Sequence, residues 1–264
     1  MQLHVSRIAV YPLKSCAPLY PEREELVETG FRYDRCWMVA DETGRFLTQR
    51  EHPEMARVRA VPAPQGLTLI VPGREPIEVP LRGGRAAGAT VWDDRCDVVD
   101  QGDLAAELLG SFLGRPCRLV RMRPGFRREL GSSYGGPQEM SVSFADSAPL
   151  LLTSEASLAD LNGRLAQPVP MDRFRPNIVV SGGKPYQEDR WRVIRIGGVT
   201  LRLVKDCIRC AIVTVDQTTG EKGAEPLETL DVHRPGPKGP RFGMKVVHQG
   251  TGAIGSGDTV EVLH

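Results

Sequence analysis

The chain has 264 residues, of which 41% are hydrophobic and 25% charged, the usage of an ordinary folded protein, so disordered and fibrous classes are set aside. Its 34 Lys and Arg stand against 33 Asp and Glu, so there is no net field to attract a nucleic acid or an anionic membrane, and neither is expected as a partner. The longest apolar runs, such as APLLL at 148–152, fall far short of the ~20 residues that cross a bilayer, and no membrane span is expected.

The first residues, MQLHVSRIAVYPLK, alternate as a strand does and lack the charged segment and long apolar run of a secretory leader, which makes the cytoplasm the expected compartment. The spacing then predicts short strands at RIAVY (7–11), CWMVAD (36–41), LTLIVP (67–72), IEVPL (77–81) and CRLVRM (117–122). ETGR, between CWMVAD and RFLTQ, supplies the glycine of a tight hairpin. A helix is expected over DLAAELLGSFLG with Asp103 as its cap, a second over SEASLADLNGRLA from Ser154, and a short third over EPLETLDVHR. NIVVSG, RVIRIGG, VTLRLV, AIVTVD, MKVVHQ and DTVEVLH read as further strands, while 123–140 and 233–243, rich in Arg, Gly and Pro, read as long loops suited to substrate choice. The expected fold is mainly β with a few helices. The first helix separates two runs of strands and suggests a boundary near residue 120, giving units 1–120 and 121–264.

Six cysteines, at 16, 36, 96, 117, 207 and 210, are scattered through a chain large enough to need no staples and read as mostly free thiols. Cys207 and Cys210 are the one close pair. CxxC can be half a zinc site, a dithiol redox pair, one ligand with a bystander, or two small buried hydrophobes. Zinc lacks a second pair of ligands here, and dithiol exchange needs a following helix where AIVTVD reads as a strand. The five histidines are isolated, GPKG and SGG match neither a P-loop nor a dinucleotide fingerprint, and no GxSxG elbow occurs.

DCIRCAIVTVD, followed by TG and EPLETL, resembles the cysteine segment of MOSC-domain proteins, and most closely that of the amidoxime-reducing components and their bacterial relatives. The likeness continues through SEASLADLNGRL (154–165), RFRPNIVVSG (173–182), FGMKVV (242–247) and GAIGSGDTVEVL (252–263). YPLKSC (11–16) and YDRCWMV (33–39) resemble the β-barrel segment that precedes the domain in this family. The resemblance implies a β-barrel MOSC fold behind an N-terminal β-barrel-like domain, and a molybdenum cofactor (Mo-molybdopterin) with Cys210 as the protein ligand to the metal. A soft, strongly donating thiolate suits such a metal. Cys207 carries no role by resemblance and reads as packing.

The same likeness implies that Lys14, Ser15, Arg35, Arg175, Asn177 and Arg209 contact the pterin or its phosphate. FADSAP (144–149) lies where relatives carry an Asp followed by small hydroxylated residues near the metal, so Ser147 is expected at the cofactor, while Ala148 lacks an expected hydroxyl. Asp146 is expected either to donate a proton or orient the substrate, or simply to cap the turn before Pro149. The implied activity is reduction of N-hydroxylated compounds (amidoximes, hydroxylamines, N-hydroxylated bases) to N–H compounds. No cysteine follows Cys210, so no internal iron–sulfur relay is evident, and electrons are expected from an external ferredoxin, flavodoxin or cytochrome with its reductase. The alternative is a module that carries the cofactor, or sulfur on Cys210, to another protein; an inactive scaffold is the third reading.

Overall fold

The computed structural model describes residues 2–131, Tyr134 and 140–264, so part of the loop expected at 123–140 lies outside the described residues. The fold is mainly β. Its largest sheet orders seven strands as His4–Ile8, Ile178–Ser181, Leu150–Ser154, Arg241–Gln249, Val199–Ile208, Val193–Ile196 and Val260–Val262. The two outer strands meet: Val5 N–H donates to the Asp258 carbonyl and Val260 N–H to the Leu3 carbonyl, both at 2.9 Å. The sheet thereby closes into a barrel, which removes the unpaired edges an open sheet would present.

Alternation fills this barrel. Ile178 and Val180, Leu150 and Leu152, Met244 and Val246, Val199, Leu201 and Leu203, and Ile194 and Ile196 each sit two apart along a strand and share one buried core. Val179 and Phe242, on the opposite face, pack under the helices Glu155–Asn162 and Leu227–His233 with Leu161, Phe174 and Leu230.

The first half of the chain builds a four-stranded sheet ordered Trp37–Ala40, Arg118–Met122, Asp94–Asp100 and Arg85–Val91. Trp37 and Val39 pack on one side with the helix Asp103–Leu113 and a three-stranded sheet (Arg59–Ala63, Gly66–Ile70, Ile77–Pro80). Met38 and Ala40 pack on the other with Phe46, Val98, Val120 and Phe144. Burial on both faces explains why the strand WMVA is apolar throughout rather than alternating. The halves interleave: the first strand belongs to the barrel, and Gly252–Gly255 pairs back with Arg23–Val27.

Several local expectations change. AIVTVD is not a strand: Ala211–Thr214 forms a 3-10 turn, with Val213 N–H donating to the Cys210 carbonyl at 3.1 Å. The run is apolar because Val213 and Val215 are wholly buried, and burial in a turn gives the same short apolar signal as a buried strand. Asp103 is the first residue inside its helix, with Gly102 at the cap, and it pairs with Arg118 at 2.8 Å instead of capping. The strand expected at 7–11 runs from His4 to Ile8, Val10 contributing only an isolated bridge to Leu19, and the loop expected at 233–243 ends where Arg241 begins a strand. Ser154 does cap its helix, its hydroxyl accepting from Ser157 N–H at 3.1 Å. All six cysteines are free.

The strand Val199–Ile208, which delivers the cysteine pair, shifts register twice against Arg241–Gln249, between Leu203 and Lys205 and between Asp206 and Ile208. The second shift faces Gly243, whose φ of +79° and whose approach to the Leu152 carbonyl (2.7 Å from where a Cβ would lie) only glycine tolerates. Such irregularities turn the strand end out of the barrel wall and toward the neighbouring half.

The helix Glu155–Asn162 is fastened by a wholly buried carboxylate: Glu188 accepts from the Ser154 and Ser157 hydroxyls at 3.1 and 2.6 Å. Burial raises its pKa above the ordinary glutamate value, and the two serine bonds only partly oppose this. A raised folded-state pKa gives stability that is complete below the unfolded-state pKa and is lost as pH rises through the folded one. Glu188→Gln is therefore expected to flatten the decline of the melting temperature as pH rises above the usual glutamate range. Glu188→Ala, which removes the carboxylate acceptor from both hydroxyls, is expected to cost about 1–3 kcal/mol by denaturant unfolding.

Candidate functional site

A single cleft between the two halves is lined by Lys14, Ser15, Arg35, Asp146, Ser147, Arg175, Asn177, Arg209 and Cys210, so every residue singled out on the sequence reaches it. Each arrives by a traceable route. Leu13 and Cys16 are buried in the core under the first helix, and the two residues between them face the cleft. Arg35 follows the strand Gly30–Phe31 in a turn closed by Asp34 N–H to the Phe31 carbonyl (3.0 Å) and Cys36 N–H to the Tyr33 carbonyl (3.3 Å). Arg175 ends the 3-10 turn Met171–Phe174. Cys210 precedes the turn Ala211–Thr214.

Ser15, Arg35 and Arg175 all have left-handed backbone, with φ of 62°, 53° and 54°. Non-glycine residues adopt this region at a cost, and such residues gather at ligand sites.

Tyr11 organises the cations. The Arg175 and Arg35 guanidiniums lie 4.2 and 4.7 Å from its ring centre, and its hydroxyl donates to the Pro176 carbonyl at 3.1 Å. Burial lowers the pKa of Arg175, whereas Arg35, also disfavoured by burial, is held above its usual value by the adjoining Asp34 carboxylate. Asn177 spends its whole amide on the protein: Nδ2 donates to the Ala9 carbonyl and Asp34 Oδ1, both at 3.1 Å, and Oδ1 accepts from Leu151 N–H and Arg35 at 3.2 and 3.3 Å. It reaches the cleft wall with no free donor and acts as a strut between the halves.

Arg175 Nη2 and Arg209 Nε behave differently, being buried with no hydrogen-bond partner. Arg175 Nη1 donates to the Cys16 carbonyl and Arg209 Nη2 to the Phe174 carbonyl, at 2.8 and 2.7 Å, so both guanidiniums are anchored with donors to spare. Unsatisfied N–H groups on cationic side chains suit a ligand rich in acceptor oxygens, of which a phosphate is the plainest example. With the Cys210 thiol lining the same cleft, this donor set fits a pterin phosphate whose metal takes a protein sulfur.

Asp146 opens on the cleft with 45% of its side chain exposed and forms ion pairs with Lys14 and with Arg50. Its recessed position works against the charge, but the two cations outweigh that and hold the carboxyl well below the usual carboxylate range. Lys14 is buried, which lowers its pKa despite Asp146, and it also donates to the Phe144 carbonyl at 2.7 Å.

Residues that sequence reasoning passed over complete the site. Arg50 Nε donates to Cys210 Sγ at 3.3 Å and Nη2 to Asp146 at 3.1 Å. Trp92 Nε1 donates to Asp146 at 3.2 Å, and the Arg50 guanidinium lies 5.1 Å from its ring. The Tyr134 hydroxyl accepts from Lys245 Nζ at 3.3 Å, with Lys205 4.2 Å from its ring. Burial opposes ionisation of that phenol, but Ser147 and Lys245 prevail and lower its pKa. Cys207, read as packing, lines the cleft and accepts from Arg209 Nη1 at 2.9 Å. A lone Arg or Trp at a hairpin has no distinctive spacing, so only the fold reveals these partners.

Two family models match the chain: the MOSC N-terminal beta barrel domain over residues 2–116 and the MOSC domain over residues 139–261. It is 35% identical to mitochondrial amidoxime-reducing component 1 of Mus musculus over 98% of this chain and 82% of that protein. It is 37% identical to mitochondrial amidoxime reducing component 2 of Rattus norvegicus over 97% and 82%. The molybdenum cofactor sulfurase of Danio rerio is 33% identical over 93% of this chain, which spans 32% of that protein. The chain belongs to the MOSC family, in the two-part form that joins the MOSC N-terminal β-barrel domain to the MOSC domain.

Proposed function

We propose that the protein is a molybdenum-cofactor oxidoreductase that reduces N-hydroxylated compounds (amidoximes, hydroxylamines and N-hydroxylated bases) to their N–H counterparts. The observation that carries the reading is the meeting, in one cleft, of Cys210 with the anchored but unsatisfied guanidiniums of Arg175 and Arg209. Its amidoxime-reducing relatives support the reaction class. The division near residue 120 and residence in the cytoplasm belong to the same proposal; the matched ranges support the first, and six free thiols support a reducing compartment.

In this reading Cys210 holds the metal, and Lys14, Ser15, Arg35, Arg175 and Arg209 hold the pterin and its phosphate. Asn177 fixes Arg35 and the strand beginning at Ile178, and Ser147 reaches the cofactor alongside Tyr134. The bound group supplies two-electron removal of oxygen from nitrogen; the protein supplies binding, orientation and charge. Two electrons and two protons convert each N–OH to N–H and water. Among the described residues no helix is long and apolar enough to cross a membrane, and the electrons are assigned to a separate protein of ferredoxin, flavodoxin or cytochrome type with its reductase.

An ionised Asp146 is a poor acid but a good acceptor. It orients the substrate N–OH group and fixes the two cations beside it, and the buried Lys14 ammonium is the group placed to give up a proton.

Protein made in a cofactor-competent host should contain near-stoichiometric molybdenum and pterin by elemental analysis and cofactor fluorescence, and Cys210→Ala should fold but lose the metal. Metal in neither protein would sink the reading and favour a sulfur carrier. Turnover of a benzamidoxime-type substrate should require either a reduced electron-transfer protein or a chemical reductant, NADH alone giving none; failure with both reductants counts against the activity. Since Asp146 stays ionised between about pH 5 and 8, Asp146→Asn should lower kcat by roughly 10–100-fold at every pH in that window, as loss of an outer partner does. Disappearance of one limb of the pH profile would instead make Asp146 the proton donor.

A further inference from the structure

Arg50 is held at every end. Its N–H donates to Thr48 Oγ1 at 2.9 Å and its carbonyl accepts from Lys222 Nζ at 3.0 Å. Its guanidinium divides between two acceptors, Nε to Cys210 Sγ at 3.3 Å and Nη2 to Asp146 at 3.1 Å, and leaves 24% of the side chain exposed. Trp92 lies beside it. That indole sits at φ 56° in the two-residue turn between paired Val91 and Asp94 and is 42% exposed, two unfavourable conditions for a large aromatic residue. What it gains is contact with the Arg50 guanidinium, a bond to Asp146 and an edge-on packing against Phe46 at 5.0 Å between ring centres.

An arginine that served only as a counter-ion for Asp146 would not need a second bond to sulfur, nor both of its backbone groups tied. The planar fork delivers N–H groups to a sulfur and a carboxylate in fixed directions at once, which a lysine cannot do. Both partners, moreover, belong to the C-terminal half, at residues 146 and 210, and lie 64 positions apart in the chain. Arg50, which the N-terminal half contributes, is therefore a bracket across the cysteine that the C-terminal half contributes.

We propose that Arg50 is a positioning residue for Cys210, orienting its sulfur and drawing charge from it so that a metal bound there has a raised reduction potential. Hydrogen bonds and positive charge at a metal-bound sulfur favour the more reduced, more negative state of the centre, which sets the sign of the effect. The inference rests on the reading of Cys210 as a metal ligand. It adds a residue from outside the cysteine segment that tunes how readily the centre accepts electrons from its donor.

The test compares the metal-loaded parent with Arg50→Gln, which keeps an N–H but removes the charge, Arg50→Lys, which keeps the charge but not the fork, and Trp92→Leu, which frees the guanidinium. Metal analysis, thermal melting and EPR-monitored redox titration are run on each. The midpoint potential is expected to fall most in Arg50→Gln and less in Arg50→Lys and Trp92→Leu, with altered EPR g values and a lower kcat at little-changed KM. A parent without molybdenum overturns the functional reading and this inference with it. A loaded parent and loaded variants sharing one potential overturn this inference alone. Folded Arg50 variants that both lose the metal also overturn it, assigning Arg50 to cofactor retention.

Discussion

The site depends on a buried carboxylate that sits beneath it. Asp34 is 1% exposed and gathers the Tyr11 N–H at 2.8 Å, the Asn177 amide at 3.1 Å and the Arg35 guanidinium. These partners come from both halves of the chain, so one anion joins the halves and neutralises one of the cations of the cleft. Removing one partner from such a buried pair costs about 3–5 kcal/mol, because the other charge is left in a medium that solvates it poorly. Without Asp34, Arg35 would lie beside Arg175 over the Tyr11 ring with no carboxylate to offset their repulsion.

Around that anchor, rigidity is achieved by different means in different places. Arg35 and Arg175 share the Tyr11 ring, Asn177 is saturated by four partners, and Ser15, Arg35 and Arg175 are held in left-handed backbone by the cores on either side. Each left-handed residue stores of order 1–3 kcal/mol, which persists only where the surroundings over-determine it. Leu13, Cys16 and Phe174 are wholly buried neighbours that do so. The donors left over, on Arg175 and Arg209, are thus held in place in advance of any ligand, and a ligand need not order them.

How much of this could be read beforehand follows from where each signal lives. The alternation at 199–204 and the apolar strand at 36–41 are local, and the strands are where the spacing puts them. The cleft residues were found through segments such as YPLKSC and RFRPNIVV, whose pattern carries more information than any single residue. AIVTVD misled because burial of Val213 and Val215 in a turn mimics a strand, and Asp103 misled because an acidic residue suits the first turn as well as the cap. Arg50 and Trp92 had no signal at all: each meets its partner across 160 and 54 residues of chain, and nothing in LTQRE or TVWDD distinguishes them from solvated surface.

The seam of the barrel has a temporal meaning. Residues 3 and 5 bond to residues 260 and 258, so the strand His4–Ile8 waits for residues made long after it before its sheet can close. Long-range pairing of this kind folds slowly, because the loop must be closed before its contacts repay the lost entropy. Until then, the strand that leads to Lys14 and Ser15 is held to the barrel on one side alone, by Ile178–Ser181. A chain interrupted before residue 258 would carry the cysteine and all the cations of the cleft, with the barrel behind them still open.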